Sequence, residues 1–426
     1  MAQRKTKRSY SIWLVPLMYA AGALVFGLTV PRIGHALFPQ FVSTISVNAA
    51  IGIYSAVASG MLSLTGIVFS LTFVMVQFSA TAYSPRLVLW IARDPFLSHA
   101  MGVFTATFLY ALSALAWVDR DGAGRVPLMG IAVGTMLLAI SVAMFIGLIQ
   151  RVSMLQVTRM LIFTGGQGRK IVERLYPPID TPRSNAPGEA LPAVTQTVLH
   201  HGDPRVVQAV QIEELMEIGS SRGCVIEMVA AVGDSLVDAS PILRVYGAAP
   251  LPEEILRNAV ELGLERTFEQ DPKYAIRLLV DIAIKALSPA VNDPTTAVQA
   301  LDQIEDLLLR VGRRRLEIGA FRDGQGRLRV LLPLPVWEDF LELAFDEIRY
   351  YGATSVQVMR RMKALVTEML AIMPEERRPA LHYWEERLQA TVQRAFSDRE
   401  DILDASHEDR QGLGSSRRRN TNNSKE

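Results

Sequence analysis

Asn48 to Ala80 reads NAAIGIYSAVASGMLSLTGIVFSLTFVMVQFSA, without a single Asp, Glu, Lys or Arg. The uncharged stretch runs further, from Arg32 to Arg86, and Pro39-Gln40 interrupts it. A helix over 48–80 outruns the ~30 Å hydrocarbon core at 1.5 Å per residue, so it must tilt or project into water. Three more apolar runs surround it: Ile12 to Val30, Leu97 to Val118 and Val126 to Gln150. The first follows Arg4, Lys5, Lys7 and Arg8, as a signal peptide would. It exceeds the usual length of a signal core, however, and Pro31-Arg32-Ile33 is a poor cleavage site, so it reads as an uncleaved span. The sequence therefore predicts four transmembrane helices, at about 12–30, 48–80, 97–118 and 126–150, within a membrane domain of residues 1–154.

The near-neutral total of +1 over 426 residues is a cancellation. Residues 1–150 hold nine Lys/Arg and three Asp/Glu, and the rest hold 35 and 40. That balance argues against a dedicated nucleic-acid binder. The single Cys, Cys224, excludes an intrachain disulfide framework and a Cys-cluster metal site. No motif implies a cofactor or a metal. Lys and Arg orient the spans. Ten flank the N-terminal arm, the loop after the second span and the exit of the fourth: Arg4, Lys5, Lys7, Arg8, Arg86, Arg93, Arg151, Arg159, Arg169 and Lys170. The opposite side holds Arg32, Arg120 and Arg125. Both termini are expected in the cytoplasm, at a bacterial inner membrane. One Cys suits a reducing compartment.

On the second span Ser59, Ser63, Ser70, Gln77 and Thr81, with Gly66 between, fall on one helical face. Such a face is either a seam where helices pack closely or the wall of a polar pathway. No charged residue lies inside any span, which disfavours an ion-coupled pump. Tyr83 to Pro95 reads as a connector; Arg86, Trp90 and Arg93 suit either a short interfacial segment or a plain loop.

The second half is α+β and mostly helical. Residues 155–192 form a connector and linker, helical at first, with a break expected at Gly165-Gly166 and Gly168, then rich in Pro and Ser. Residues 193–250 form a small β module: a strand over Arg205–Val210, a helix over Ile212–Ile218, a strand over Cys224–Val232, a Gly233-Asp234 turn and a strand over Ile242–Tyr246. Its strand–turn–strand pattern resembles the edge of a small barrel-sandwich. Gly233-Asp234-Ser235-Leu236 matches the signature string of a hydrolase family with a Ser nucleophile, and His407 mimics its base. The α/β alternation that would hold them together is missing, so the string reads as a turn. Residues 251–400 form a helical domain. In it, helices over 255–263, from Pro272 with Asp271 as cap, and from Pro294 with Asp293 as cap precede a β-hairpin near 316–333. Three more helices follow, over 336–350, 354–372 and 375–396. His382 and Trp384 read as core or surface residues, and His200-His201 as loop. Residues 401–426 read as a disordered polar tail.

Long strings here resemble a bacterial family of predicted membrane proteins with a domain of unknown function. They are Leu262-Gly263, Arg266-Thr267, Gln270-Asp271, Asp281-Ile282-Ala283 and Ala286-Leu287-Ser288-Pro289-Ala290-Val291-Asn292-Asp293-Pro294. Val68-Phe69-Ser70-Leu71-Thr72-Phe73, Gln77-Phe78-Ser79, Tyr83-Ser84-Pro85-Arg86 and the Gly233-Asp234 turn also fit. The chain departs from the family's hairpin at Ser235 and at Ala239-Ser240, where an apolar residue and a Gly-containing turn are expected. The resemblance implies membership and topology.

Read physically, Arg266, Asp271, Asp281, Asn292 and Asp293 are the candidate site. Arg266 and Asp271 are close enough in sequence to pair. Asp281 lies among apolar neighbours and needs a partner such as Arg266 or Lys285. These residues either lock helices together or bind a ligand. No nucleophile–base pair and no metal-ligand spacing is complete. Two functions follow: an oligomeric channel lined by the second span and gated by the cytoplasmic domain, or a membrane-anchored regulator or scaffold. Expected partners are the bilayer, further copies of the chain, and a cytoplasmic protein or small-molecule ligand.

Overall fold

The computed structural model describes residues 14–37, 45–82, 95–119, 126, 128–152, 157–181, 191–247 and 249–413. The 83–94 connector, most of the Pro-rich linker and the final basic tail lie outside them. The chain divides into two compact units, residues 1–156 and 157–426.

Unit one holds α1 (Leu14–Leu37), α2 (Val47–Ala82), α3 (Pro95–Leu115) and α4 (Leu128–Val152). Three are long and apolar enough to cross a bilayer, over Val47–Leu71, Phe96–Leu115 and Leu128–Gln150; the apolar part of α1, Leu14–Val30, is shorter. α3 is the hub, with α1, α2 and α4 all packed on it. Its small residues Ala100, Ala106, Ala111 and Ala114 are buried, as are Phe104 and Tyr110. Small side chains permit the close approach that packing in lipid requires. Thr107 Oγ1 and Ser141 Oγ, both buried, hydrogen-bond at 2.9 Å and tie α3 to α4. α1 runs seven residues past its expected end, through Pro31. Membrane helices tolerate Pro because neighbouring groups satisfy the freed carbonyl.

Unit two opens with α5 (Val157–Leu175), unbroken at its glycines. The expected break is absent because Gly168 serves close packing. A Cβ there would lie 2.8 Å from Ala275 Cβ and Leu307 Cδ2 of the neighbouring helices.

Next come β1 (Val194–Leu199), β2 (Arg205–Val210), α6 (Ile212–Arg222), β3 (Val225–Met228), β4 (Ser235–Leu236), β5 (Pro241–Tyr246), α7 (Glu253–Asn258) and β6 (Val260–Gly263). The sequence reading placed a helix over 255–263. Instead α7 stops at Asn258 and Val260–Gly263 pairs antiparallel with β2. The β-branched Val260 is buried in the sheet core, and tertiary pairing overrides a helical apolar spacing. The chain then forms α8 (Tyr274–Ala286), α9 (Pro294–Gly312), β7 (Ala320–Arg322), β8 (Leu328–Leu331), α10 (Trp337–Tyr351), α11 (Val356–Ile372), α12 (Arg378–Ala395) and α13 (Arg399–Ser406).

The strands make two sheets, ordered β1-β5-β3-β8-β7 and β4-β2-β6, over one core that includes Val198, Val207, Ile226, Val245, Val260 and Val330. β8 pairs parallel with β3. The β module therefore extends past residue 250 and includes the 320–331 hairpin, because a parallel pair needs a long crossover. Residues 401–413 are also ordered into the fold. The Arg360 guanidinium, itself buried, reaches Asp404, and the backbone N–H of Asp409 donates to Arg360 O. Ala405 is fully buried.

Candidate functional site

The loop before β4 turns on Gly233, whose φ of +95° favours glycine. Asp234 closes the turn by accepting from Ala231 N at 2.9 Å. Two residues of the chain's hairpin replace the expected glycine turn. Ala239 takes the left-handed position at φ +65°, and Ser240 Oγ accepts from Val237 N at 3.0 Å. Against Gly233 lies Asp271. A Cβ on Gly233 would sit 2.5 Å from Asp271 Oδ2 and 3.2 Å from Arg266 Cζ. Two strings some forty residues apart thus meet in space.

Asp271 is 1% exposed, and its Oδ2 accepts from Arg266 Nη1 at 3.3 Å. Its Oδ1 accepts from Lys273 N at 3.0 Å. Asp271 therefore caps the turn ahead of α8 and not the helix as expected, because α8 starts two residues later, with Lys273 at its N-cap. Burial pushes its carboxyl above the ordinary range, and Arg266 pulls it back only in part. Gln270 docks the same segment on β2: Val210 N donates to its Oε1 at 2.9 Å, and its Nε2 donates to Val210 O at 3.2 Å. The side-chain amide does there what a further strand would do. The buried hydroxyl of Tyr176 has no partner among the described residues. Burial, then the charges of Asp271 and Asp339, push it upward.

The other candidates stand elsewhere. Asp281, on α8, pairs with Arg277 one turn earlier at 2.6 Å; Arg277 continues to Glu347 of α10 at 2.5 Å. Arg266, one partner anticipated for Asp281, belongs to Asp271 instead. Asn292 and Asp293 follow the far end of α8, on the order of 20 Å from Asp271 at 1.5 Å per residue. Asn292 is exposed with φ +48°. Asp293 caps α9, accepting from Thr296 N at 3.1 Å and Thr296 Oγ1 at 2.6 Å, with Pro294 in the first turn. The five residues therefore fall into three places along α8 and do not converge on one ligand. Ion pairs that the sequence reading missed brace the same helices. Arg361 of α11 reaches Asp302 at 2.9 Å and also bonds Glu305, both on α9. No local spacing signals such a pair, since its partners are more than fifty residues apart.

Ser235 is exposed in β4, its backbone paired with Val206. His407 ends α13, with Nδ1 on Leu403 O. His200 bonds Asp203 O at 2.8 Å, and His201 lies 3.5 Å from Asp238. Among the described residues no group of three or more His, Cys, Asp or Glu is placed to hold a metal ion.

In unit one, α2 buries Ala50, Tyr54, Ala58, Met61 and Val68. Ser59, Ser63, Ser70 and Gln77 are exposed on the opposite side. Ser63 Oγ donates back to Ser59 O at 3.0 Å, and Ser59 Oγ to Ala56 O at 3.2 Å. Gly66 faces open space. Among the described residues, Ser59, Ser63 and Ser70 are not buried against the other helices of the unit. The side chain of Thr81, on the last turn of α2, lies outside the described residues.

The chain is 27% identical over 409 residues to uncharacterized proteins of Mycobacterium bovis and Mycobacterium tuberculosis, which is 92% of this chain and 78% of each of theirs. No solved structure matches it. Residues 9–368 match the sequence pattern of a family described as predicted membrane protein, DUF2254; α12 and α13 lie beyond that match. The chain belongs to the DUF2254 family of predicted membrane proteins.

Proposed function

We propose that the protein is a homo-oligomeric channel of the inner membrane. In this reading α1 to α4 all span, both termini are cytoplasmic, and the α2 stripes of several copies surround a permeation pathway. The cytoplasmic residues from 157 onward gate it. The observation that carries this is the outward position of Ser59, Ser63, Ser70 and Gln77 on one chain. A polar stripe on a membrane helix gains from facing other helices or water rather than acyl chains. A closed ring of copies supplies both. The 36 residues of α2 also exceed the bilayer core, which suits a helix whose end projects beyond the bilayer into water. No catalytic role is assigned to Ser235 or His407.

Conductance of the purified protein in planar bilayers tests the reading. It predicts single-channel currents that Gln77→Leu alters in amplitude. Silence under voltage, tension and osmotic gradients, with wild type and variant alike, contradicts it.

One observation favours a membrane-anchored scaffold as the second reading. Pro289, Ala290, Val291 and Asn292 are all exposed, so packing does not account for that part of the signature loop. A stoichiometric soluble partner lost on Val291→Asp would favour it.

A further inference from the structure

α1, α3 and α4 enclose an open groove of about 580 Å³ in the membrane unit. Its walls are apolar, with Met18 and Phe26 on α1, Ala106 on α3, and Met136 and Ile140 on α4. Its polar groups are not scattered. The Tyr19 hydroxyl and His99 Nδ1 bond at 3.2 Å at one end, their rings edge to face at 5.9 Å. Gly102 seats that pair, since a Cβ there would lie 2.7 Å from the Tyr19 ring. Tyr110 also lines the groove but turns its hydroxyl away to donate to Gly130 O at 2.9 Å, leaving only its ring for an occupant.

The dimensions select the occupant. From His99 at the mouth, the α3 lining runs to Tyr110, a rise of about 16 Å. That is about half of the ~30 Å hydrocarbon core, the depth of one leaflet. His99 and Tyr19 stand in the opening turns of α3 and α1, which in the four-span reading are the cytoplasmic ends of both helices. An apolar slot one leaflet deep with hydrogen-bonding groups at its mouth is complementary to a lipid. We propose that this groove binds one acyl chain of a phospholipid, with His99 and Tyr19 meeting its ester or phosphate oxygens. The proposal rests on the four-span reading and is independent of the α2 pathway.

Gly22 lines the groove, and nothing lies within 4 Å of a Cβ built on it. Gly22→Phe therefore fills the slot without meeting backbone, and Met136→Trp fills it from the other wall. Native mass spectrometry of the full chain, stripped in detergent and given back a dipalmitoyl phosphatidylglycerol, reads occupancy directly. Wild type is expected to hold one phospholipid per chain. Both filled variants are expected to lose it while eluting as wild type. Val142→Phe, on the exposed opposite side of α4, is expected to keep it. His99→Ala is expected to weaken binding about tenfold, the effect of one hydrogen bond. The proposal is overturned if wild type retains no phospholipid, if either well-folded filled variant retains it equally, or if the substitutions change only the number of chains in the assembly. That last outcome would mark the groove as a contact between copies. Loss of lipid binding would leave the α2 conductance test untouched.

Discussion

Gly233 and Asp271 are in backbone-to-carboxylate contact: a methyl group on Gly233 would stand 2.5 Å from Asp271 Oδ2. This contact locks the Gly-Asp turn of the sheet unit to the segment that launches α8. Gly233→Ala meets both a left-handed φ and a carboxylate that cannot retreat, since Asp271 is held by Arg266 and Lys273. The strained backbone alone costs about 1–3 kcal/mol. Ser235→Ala, exposed two residues later, should change stability by less than about 0.5 kcal/mol. Thermal unfolding of the full chain in detergent, followed by the buried Trp337 and Trp384, measures the difference. Equal melting temperatures for the two variants would refute the contact.

Arg266 and Asp271 should not be interchangeable in mutation. Arg266 is 35% exposed and Asp271 is 1% exposed. Arg266→Ala strands a buried carboxylate, which costs about 3–5 kcal/mol when the remaining charge is unpaired. Asp271→Asn leaves a cation that water can solvate and removes the buried charge, so it should be the milder change. The pH dependence follows from the same burial. The folded-state carboxyl is raised above its ordinary 3.8, so its contribution is complete below that value and is lost as pH rises through the raised one. As pH rises above the ordinary 3.8 and through the raised value, the melting temperature of wild type should fall relative to that of Asp271→Asn. A trend of the opposite sign would show that the Arg266 pair, and not desolvation, dominates.

The Asn-Asp turn should behave as a structural hinge between helices. Asn292 holds φ +48°, so Asn292→Gly should be neutral or slightly stabilising, and Asn292→Val should be destabilising. Asp293→Ala removes the α9 cap at about 1 kcal/mol. If Asn292→Gly instead leaves melting unchanged while abolishing conductance or partner capture, the loop is a binding element as well.

The legible parts of this fold are those set by local rules. The apolar runs and their flanking charges mark α2, α3 and α4 to within a few residues, because uncharged length is itself the signal. The Asp293-Pro294 start of α9 is legible because capping chemistry is local. The parts that were not legible depend on partners distant in the chain. Val260–Gly263 is a strand because β2 is beside it, and the 320–331 hairpin belongs to the β module because β8 meets β3. Gly165 and Gly168 look like a break until α8 and α9 are placed against them. At the candidate site, the pairing of Arg266 with Asp271 followed from their spacing. The separation of Asp281 and Asn292 from that pair required the length of α8.

The central claim is that the α2 stripe faces other copies of the chain. Single-cysteine variants of a Cys224→Ala chain test it most directly, by oxidative crosslinking in native membranes. The account predicts disulfide-linked dimers at positions 59, 63, 66 and 70. It predicts none at Ile67 and Phe69, which are also exposed on α2 but point to its flanks. Crosslinks at 67 and 69 equal to those at 63 and 66, or no crosslinks at any stripe position, would contradict it.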